Sequence, residues 1–178
     1  MNIKQDLIAL KDQSELMLDL AYSAMFLHDH KIAKQVKGLY FSFQEILKRI
    51  KKRVFEDQYL SDMVVHLHEI ASNAAHLACL AENDKVPKVV KDVLSTSDTR
   101  VIEELVSYSS FFVGKTVGEL KVRSHTKARI VAVKRNDIWM FNIDKNFRFR
   151  QKDLIVAVGT KRSAKLLKLA VGISKLEK

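Results

Sequence analysis

The sequence predicts two domains of different class: an all-α antiparallel helical bundle over residues 1–82 and a small α+β sheet domain over residues 100–172. Three observations predict this. Apolar residues recur at spacings of three and four as far as about residue 81, which is the period of a helix. From about residue 101 the pattern changes to short β-rich runs separated by turn residues. Charge divides at nearly the same place: residues 1–95 hold 13 Lys+Arg against 13 Asp+Glu, and residues 96–178 hold 18 against 8. The formal net charge of +10 on 178 residues therefore belongs to the second domain alone.

Ile3, Leu7, Leu10, Ser14, Met17, Ala21, Ala24 and His28 form the seam of a first helix. Ile32, Val36, Leu39, Phe43, Ile46 and Ile50 form a second seam, one residue out of phase with the first. The chain must therefore break between His28 and Lys31, with Asp29 as N-cap. Leu60, Val64, Leu67, Ala71, Ala74, Ala78 and Ala81 continue the second phase, but Arg53 and Asp57 fall on successive seam positions, so the next break is expected at Glu56-Asp57-Gln58. Helices joined by turns this short run up, down and up. The small residues Ala71, Ala74, Ala75 and Ala78 permit close approach of another helix, in the bundle or in a second subunit. Residues 83–99 read as a connector. It begins with Asn83-Asp84-Lys85-Val86-Pro87, continues as a short amphipathic piece with Val89, Val90, Val93 and Leu94, and ends in polar residues.

In the second domain Val101 begins an extended segment. Thr116-Val117-Gly118-Glu119 has capping-box spacing and starts one short helix ending near Lys121. Ile130–Arg135 and Ile138–Asn142 read as strands on either side of a two-residue turn, Asn136-Asp137. Asp153–Val158 reads as a buried strand closed by Gly159, and Ser163–Val171 as a last amphipathic helix before a tail, 173–178. Two helices covering a small open sheet fit this order, and the sheet's edges invite pairing across a dimer.

Composition narrows the function classes. No apolar run reaches the ~18 residues of a membrane span, the amino terminus has no signal-peptide pattern, and the single cysteine, Cys79, can form no internal disulfide. A cytoplasmic protein is expected, peripheral to a membrane only through a partner. The sequence contains no phosphate-cradling glycine loop, serine elbow or metalloprotease helix motif, so no enzyme is expected.

Two constellations could carry chemistry. Asp62, His66, Glu69, Asn73 and His76 form a polar stripe on the third helix, and Glu15 and Asp19 stand one turn apart on the first. Glu15, Asp19, Glu69 and His66, with His76 beside them, are the candidate metal ligands, a set suited to iron, zinc or manganese. Solvated helix faces produce the same pattern far more often. The second constellation is the basic surface of the C-terminal domain, including Lys121, Arg123, Lys134, Arg135, Arg148, Arg150, Lys152 and Lys161 among Trp139, Phe147 and Phe149. Nucleic acid, a nucleotide or other anion, an acidic partner and plain solubility all stay open for it.

The order of three segments supports a resemblance. Gly114-Lys115-Thr116-Val117-Gly118-Glu119-Leu120, then Ile130-Val131-Ala132-Val133-Lys134-Arg135, then Asp153-Leu154-Ile155-Val156-Ala157-Val158-Gly159 resemble the TrkA C-terminal domain, also called RCK C-terminal, of potassium channel and transporter regulators. The chain departs from that pattern at Lys152, where a glycine is usual, at Ile143 in place of proline and at Ala128 in place of glycine. The resemblance implies a dimeric domain that binds small ligands, nucleotides among them, and biases a membrane partner. Carried over by position, it implies Arg135 and Asn142 as polar and Ile130 and Ala132 as apolar residues of the ligand pocket.

The first 82 residues resemble one half of a PhoU-type bundle, in which Glu/Asp-x-x-x-Asp motifs bind metal. Glu15-Leu16-Met17-Leu18-Asp19 matches that motif, and Glu69-Ile70-Ala71-Ser72-Asn73 carries Asn73 where the acid should be. Together the resemblances imply a homodimeric, ligand-sensing regulatory subunit associated with a potassium or other cation transporter, its ligand a small anion of nucleotide type. A nucleic-acid-binding protein, expected less because the basic residues line no single recognition helix, and a metal-binding PhoU-like regulator are the alternatives.

Overall fold

The computed structural model describes residues 2–54, 57–82, 87, 89, 92–93, 96, 98–141 and 143–173. The chain divides into two compact units, Met1–Pro87 and Lys88–Lys178. The amphipathic piece expected in the connector lies largely outside the described residues, as do Asn142 and most of the tail.

The first unit contains α1 (Ile3–Leu27), α2 (His30–Val54) and α3 (Gln58–Glu82). The first break falls where the phase change required it: His28 adopts the left-handed conformation, with φ of 50°, and the Asp29 carboxylate accepts from the backbone of Lys31 and Ile32 at 2.8 and 3.1 Å. The Asp57 carboxylate likewise accepts from Leu60 N–H at 3.1 Å at the start of α3. Side-chain bonds fix the directions. Asp6 near the start of α1 meets Arg49 near the end of α2, and Lys37 near the start of α2 meets Glu82 at the end of α3, so helices consecutive in sequence are antiparallel.

Leu10, Met17, Leu20, Ile32, Val36, Phe43 and Ile50 are buried to the last percent, and each such side chain contributes about 1.5–3 kcal/mol. On α3 the residues that face this core are Val64, Ala71, Ala74, Ala78 and Ala81. The alanine face therefore packs inside the bundle, not against a second subunit, because residues without side-chain bulk let α3 approach both α1 and α2.

The second unit has a four-stranded antiparallel sheet in the order β1-β4-β2-β3, with β1 at Thr99–Leu105, β2 at Arg129–Arg135, β3 at Ile138–Phe141 and β4 at Leu154–Thr160. Among the described residues the unit also has the helices α4 (Val117–Leu120), α5 (Val122–Thr126) and α6 (Lys161–Gly172). The expected single short helix is two: α4 ends in a left-handed Lys121, from which α5 starts anew. The capping box is present, Thr116 bonding to Glu119 N–H at 3.1 Å while Glu119 accepts from Thr116 N–H at 2.6 Å. Asn136 and Asp137 have φ of 49° and 63°, the signature of a type I′ turn, whose twist matches that of its strands.

The core lies on one face of the sheet, where Ile102, Val133, Ile155 and Ala157 meet Leu167 and Val171 of α6 together with Phe112, Val122 and Phe149. Phe149 is thus core, not an aromatic of the basic surface. Gly159 permits α6 to start tightly after β4, since a Cβ there would lie 2.7 Å from the Cβ of Ser163.

Candidate functional site

At one end of the sheet β2 finishes, β4 begins and the chain leaves β1. Asp153, immediately before β4, organises this end. Its buried carboxylate accepts from Arg135 Nε at 2.7 Å and from an Arg135 terminal nitrogen at 2.7 Å. It also accepts from the backbone N–H of Arg150 at 2.8 Å. The same Arg135 nitrogen donates to the carbonyl of Arg148 at 2.9 Å, and the guanidinium lies 5.3 Å from the centre of the Phe147 ring. Such bidentate, charge-assisted pairing fixes geometry strongly, and it holds the arginine in its charged form. The turn is stitched to β1 as well: Val106 N–H donates to the Asp153 carbonyl at 2.9 Å, and Lys152 N–H to the Val106 carbonyl at 2.8 Å.

Around this frame lies a pocket of about 320 Å³ lined by Tyr108, Arg135, Asn136, Arg150, Gln151 and Lys152. Its charged lining is entirely cationic. The Lys152 ammonium sits 5.5 Å from the centre of the Tyr108 ring, and hydrogen bonding to Tyr108 raises its pKa above the ordinary lysine value. Lys152 has φ of 65°, a left-handed conformation that costs a non-glycine residue about 1–2 kcal/mol. The sequence departure at this position thus puts a strained lysine where glycine would sit freely, and its side chain lines the pocket. With three cations, a phenol and two amides, the pocket can attract and hydrogen-bond an anion.

Of the ligand residues expected from the sequence, Arg135 lines this pocket. Ile130 and Ala132 do not, and a β-bulge between them separates the two. Ile130 pairs with Ala157 and packs against the core, while Ala132 pairs with Val156 on the opposite face. Asn142 lies outside the described residues. Arg150 and Lys152 belong to the basic surface expected from the sequence as a candidate for anion binding, whereas Tyr108, Asn136 and Gln151 carry no such expectation. The run Arg150-Gln151-Lys152 before Asp153 was the available signal for the turn, and nothing local marks Tyr108. Elsewhere in the unit, the Lys134 ammonium lies 5.7 Å from the centre of the Trp139 ring, which stacks on Phe141.

In the first unit, Glu15 pairs with Lys11 at 3.1 Å, and His66 Nδ1 lies 3.0 Å from Glu69 on the same helix. Both His66 and Glu69 are exposed, on the side of α3 away from its alanine face. They therefore turn from α1, which carries Glu15 and Asp19. Among the described residues no three His, Cys, Asp or Glu side chains come together as metal ligands would. No helix among them is long and apolar enough to cross a membrane.

The family model of the TrkA-C domain matches residues 101–171. No match was found among curated proteins. Among solved structures, the RCK_C domain dimer of S. agalactiae BusR in complex with c-di-AMP is 30% identical over 40% of this chain and 93% of that one, with a TM-score of 0.38. The RCK C domain of the potassium transport protein KtrA in complex with cyclic diadenosine monophosphate is 18% identical over 48% of this chain and 98% of that one, also with a TM-score of 0.38. S. agalactiae BusR in complex with its busAB-promotor DNA is 18% identical over 92% of this chain and 95% of that one, again at 0.38. By the match over residues 101–171, the second unit of this chain belongs to the TrkA-C domain family.

Proposed function

We propose that this chain is a ligand-sensing regulatory subunit of potassium or other cation transport, and that its TrkA-C unit binds a small phosphate-bearing ligand of nucleotide type. The observation that carries the reading is the cationic pocket at Arg135, Arg150 and Lys152. The complex of the 30% identical BusR domain with c-di-AMP supports a cyclic dinucleotide as the first ligand to test. A protein with no candidate spanning helix among its described residues would act on transport through a membrane partner, and the bundle, PhoU-like in its sequence, would couple the two.

Within the site the residues divide by task. Arg135 is committed to Asp153 and sets the shape of the pocket, whereas Arg150 and Lys152 are exposed and have no acidic partner among the described residues. These two supply the field that draws a phosphate, and Tyr108 and Asn136 offer hydrogen bonds. The strain at Lys152 fits a side chain retained for binding.

The test is calorimetric titration of the full chain with cyclic dinucleotides, mononucleotides and inorganic phosphate. Saturable binding is expected, weakened at least tenfold in the Arg150→Ala, Lys152→Ala double variant. Absence of binding by every probe would overturn the reading. Retention of duplex DNA whose affinity falls by ~0.9 log units per log unit of salt for each phosphate contact, without small-ligand binding, would transfer it to the nucleic-acid alternative.

A further inference from the structure

The outward side of α3 carries apolar surface that the bundle does not use. Among the described residues α1 leaves one large apolar side chain exposed, Ile8, and α2 leaves one, Phe41, whereas α3 leaves Tyr59, Met63, Val65, Ile70 and Leu80. Tyr59 is 89% exposed and Ile70 40%. Four of the five fall on a single line. Tyr59, Met63, His66, Ile70, Asn73, Leu77 and Leu80 alternate four and three residues apart, the spacing that keeps one seam facing a neighbouring helix. The seam is distinct from the core-facing one of Val64, Ala71, Ala74, Ala78 and Ala81, so α3 has two packing faces and the bundle fills one.

The order of polarity along the seam identifies the occupant. Read from either end it runs apolar, apolar, polar, apolar, polar, apolar, apolar, with Ile70 at the centre. A two-fold contact requires this self-complementarity, because residue i must suit residue j when j also meets i. We infer that α3 pairs with α3 of a second copy of this chain, antiparallel, about an axis at Ile70. Tyr59 then meets Leu80 of the second copy, Met63 meets Leu77, Ile70 meets its own counterpart, and the two polar positions, His66 and Asn73, meet each other. At 1.5 Å per residue the seam is about 32 Å long. On the flank, Asp62 comes opposite His76, while the Glu69 carboxylates approach the axis, each 3.0 Å from its own His66. The interface lies wholly on the bundle and does not depend on the ligand reading of the other unit.

Two measurements on the full chain test it. The mass in solution, by light scattering, is expected to halve on Ile70→Asp with helix content by circular dichroism unchanged. Where the TrkA-C unit joins the same two copies through an interface of its own, the mass stays that of a dimer, and Ile70→Asp is read instead as loss of the covalent dimer below. In a Cys79→Ser background, Met63→Cys combined with Leu77→Cys is expected to give a covalent dimer on mild oxidation. Neither single variant should do so, since like positions lie about 21 Å apart in the antiparallel arrangement. Failure of the Met63→Cys, Leu77→Cys pair to give a covalent dimer, or a covalent dimer and a mass that both survive Ile70→Asp, overturns the interface, and a covalent dimer from Met63→Cys alone overturns its direction.

Discussion

The two units place their polar groups in opposite ways. In the bundle, charged side chains lie mainly along exposed helix faces and pair within a turn, as Lys11 does with Glu15 and His66 with Glu69, with the buried Asp6 between Arg49 and Arg53 as the exception. In the TrkA-C unit, residues far apart in sequence, Tyr108, Arg135 and Arg150 to Lys152, converge where strands end. A helix presents its residues in a fixed order around a cylinder, so bringing several helices' acids together needs the polar stripes themselves to face inward. Loops at one end of a sheet converge because the strands do. The difference explains why a cation-lined pocket forms in one unit while no metal cluster forms among the described residues of the other.

The strongest way to break the comparison is at the frame of the pocket. Arg135→Ala leaves the Asp153 carboxylate buried and uncompensated, a loss of about 3–5 kcal/mol. Chemical denaturation should show the TrkA-C unit unfolding early, with the bundle's helical signal left in place. If stability stays within ~0.5 kcal/mol, Arg135 is a ligand contact and not a frame residue.

The next effect separates binding from folding. The Arg150→Ala, Lys152→Ala variant should lose at least tenfold in anion affinity, about 1.4 kcal/mol, with a melting temperature near that of the parent, since exposed substitutions mostly fall within ~0.5 kcal/mol. Lys152→Gly sharpens the point. Relief of the left-handed lysine should stabilise the unit by up to about 1 kcal/mol, while the loss of one cation weakens anion binding. Urea midpoints and titrations on the same sample should move in opposite directions.

The mildest test is acidity. Hydrogen bonding to Arg49 lowers the pKa of Asp6, against the opposing effect of burial. The backbone and hydroxyl of Thr116 lower that of Glu119. A carboxyl group depressed in the folded state stabilises fully above its unfolded value, near 3.9 for Asp and 4.3 for Glu. The contribution is lost as pH falls through the lower folded value. Asp6→Asn should therefore flatten the acid limb of the bundle's stability below about pH 4 and leave that of the TrkA-C unit unchanged. Thr116→Ala removes only the hydroxyl's share at Glu119, since the backbone N–H remains, and should flatten the acid limb of the TrkA-C unit in part while leaving the bundle's unchanged.

Much of the architecture was written in local pattern. The phase slip between Ala24 and Ile32 required a break with Asp29 as cap, the Thr116/Glu119 spacing required a helix start, and Asn136-Asp137 required a tight hairpin turn. All three depend on interactions within a few residues, which is why the sequence alone determined them. It determined the charge asymmetry for the same reason, and the order of three segments was enough to indicate the family. Tertiary structure decided what depends on distant partners. It turned the alanines of α3 inward and left Met63 and Ile70 outside, separated Ile130 from Ala132 by a bulge, and buried Phe149. It also committed Arg135 to Asp153 and placed Tyr108 beside Lys152, 44 residues away in the chain. Periodicity shows that a residue belongs to a face, but which neighbour covers that face depends on how strands and helices meet, a property that no local stretch of sequence contains.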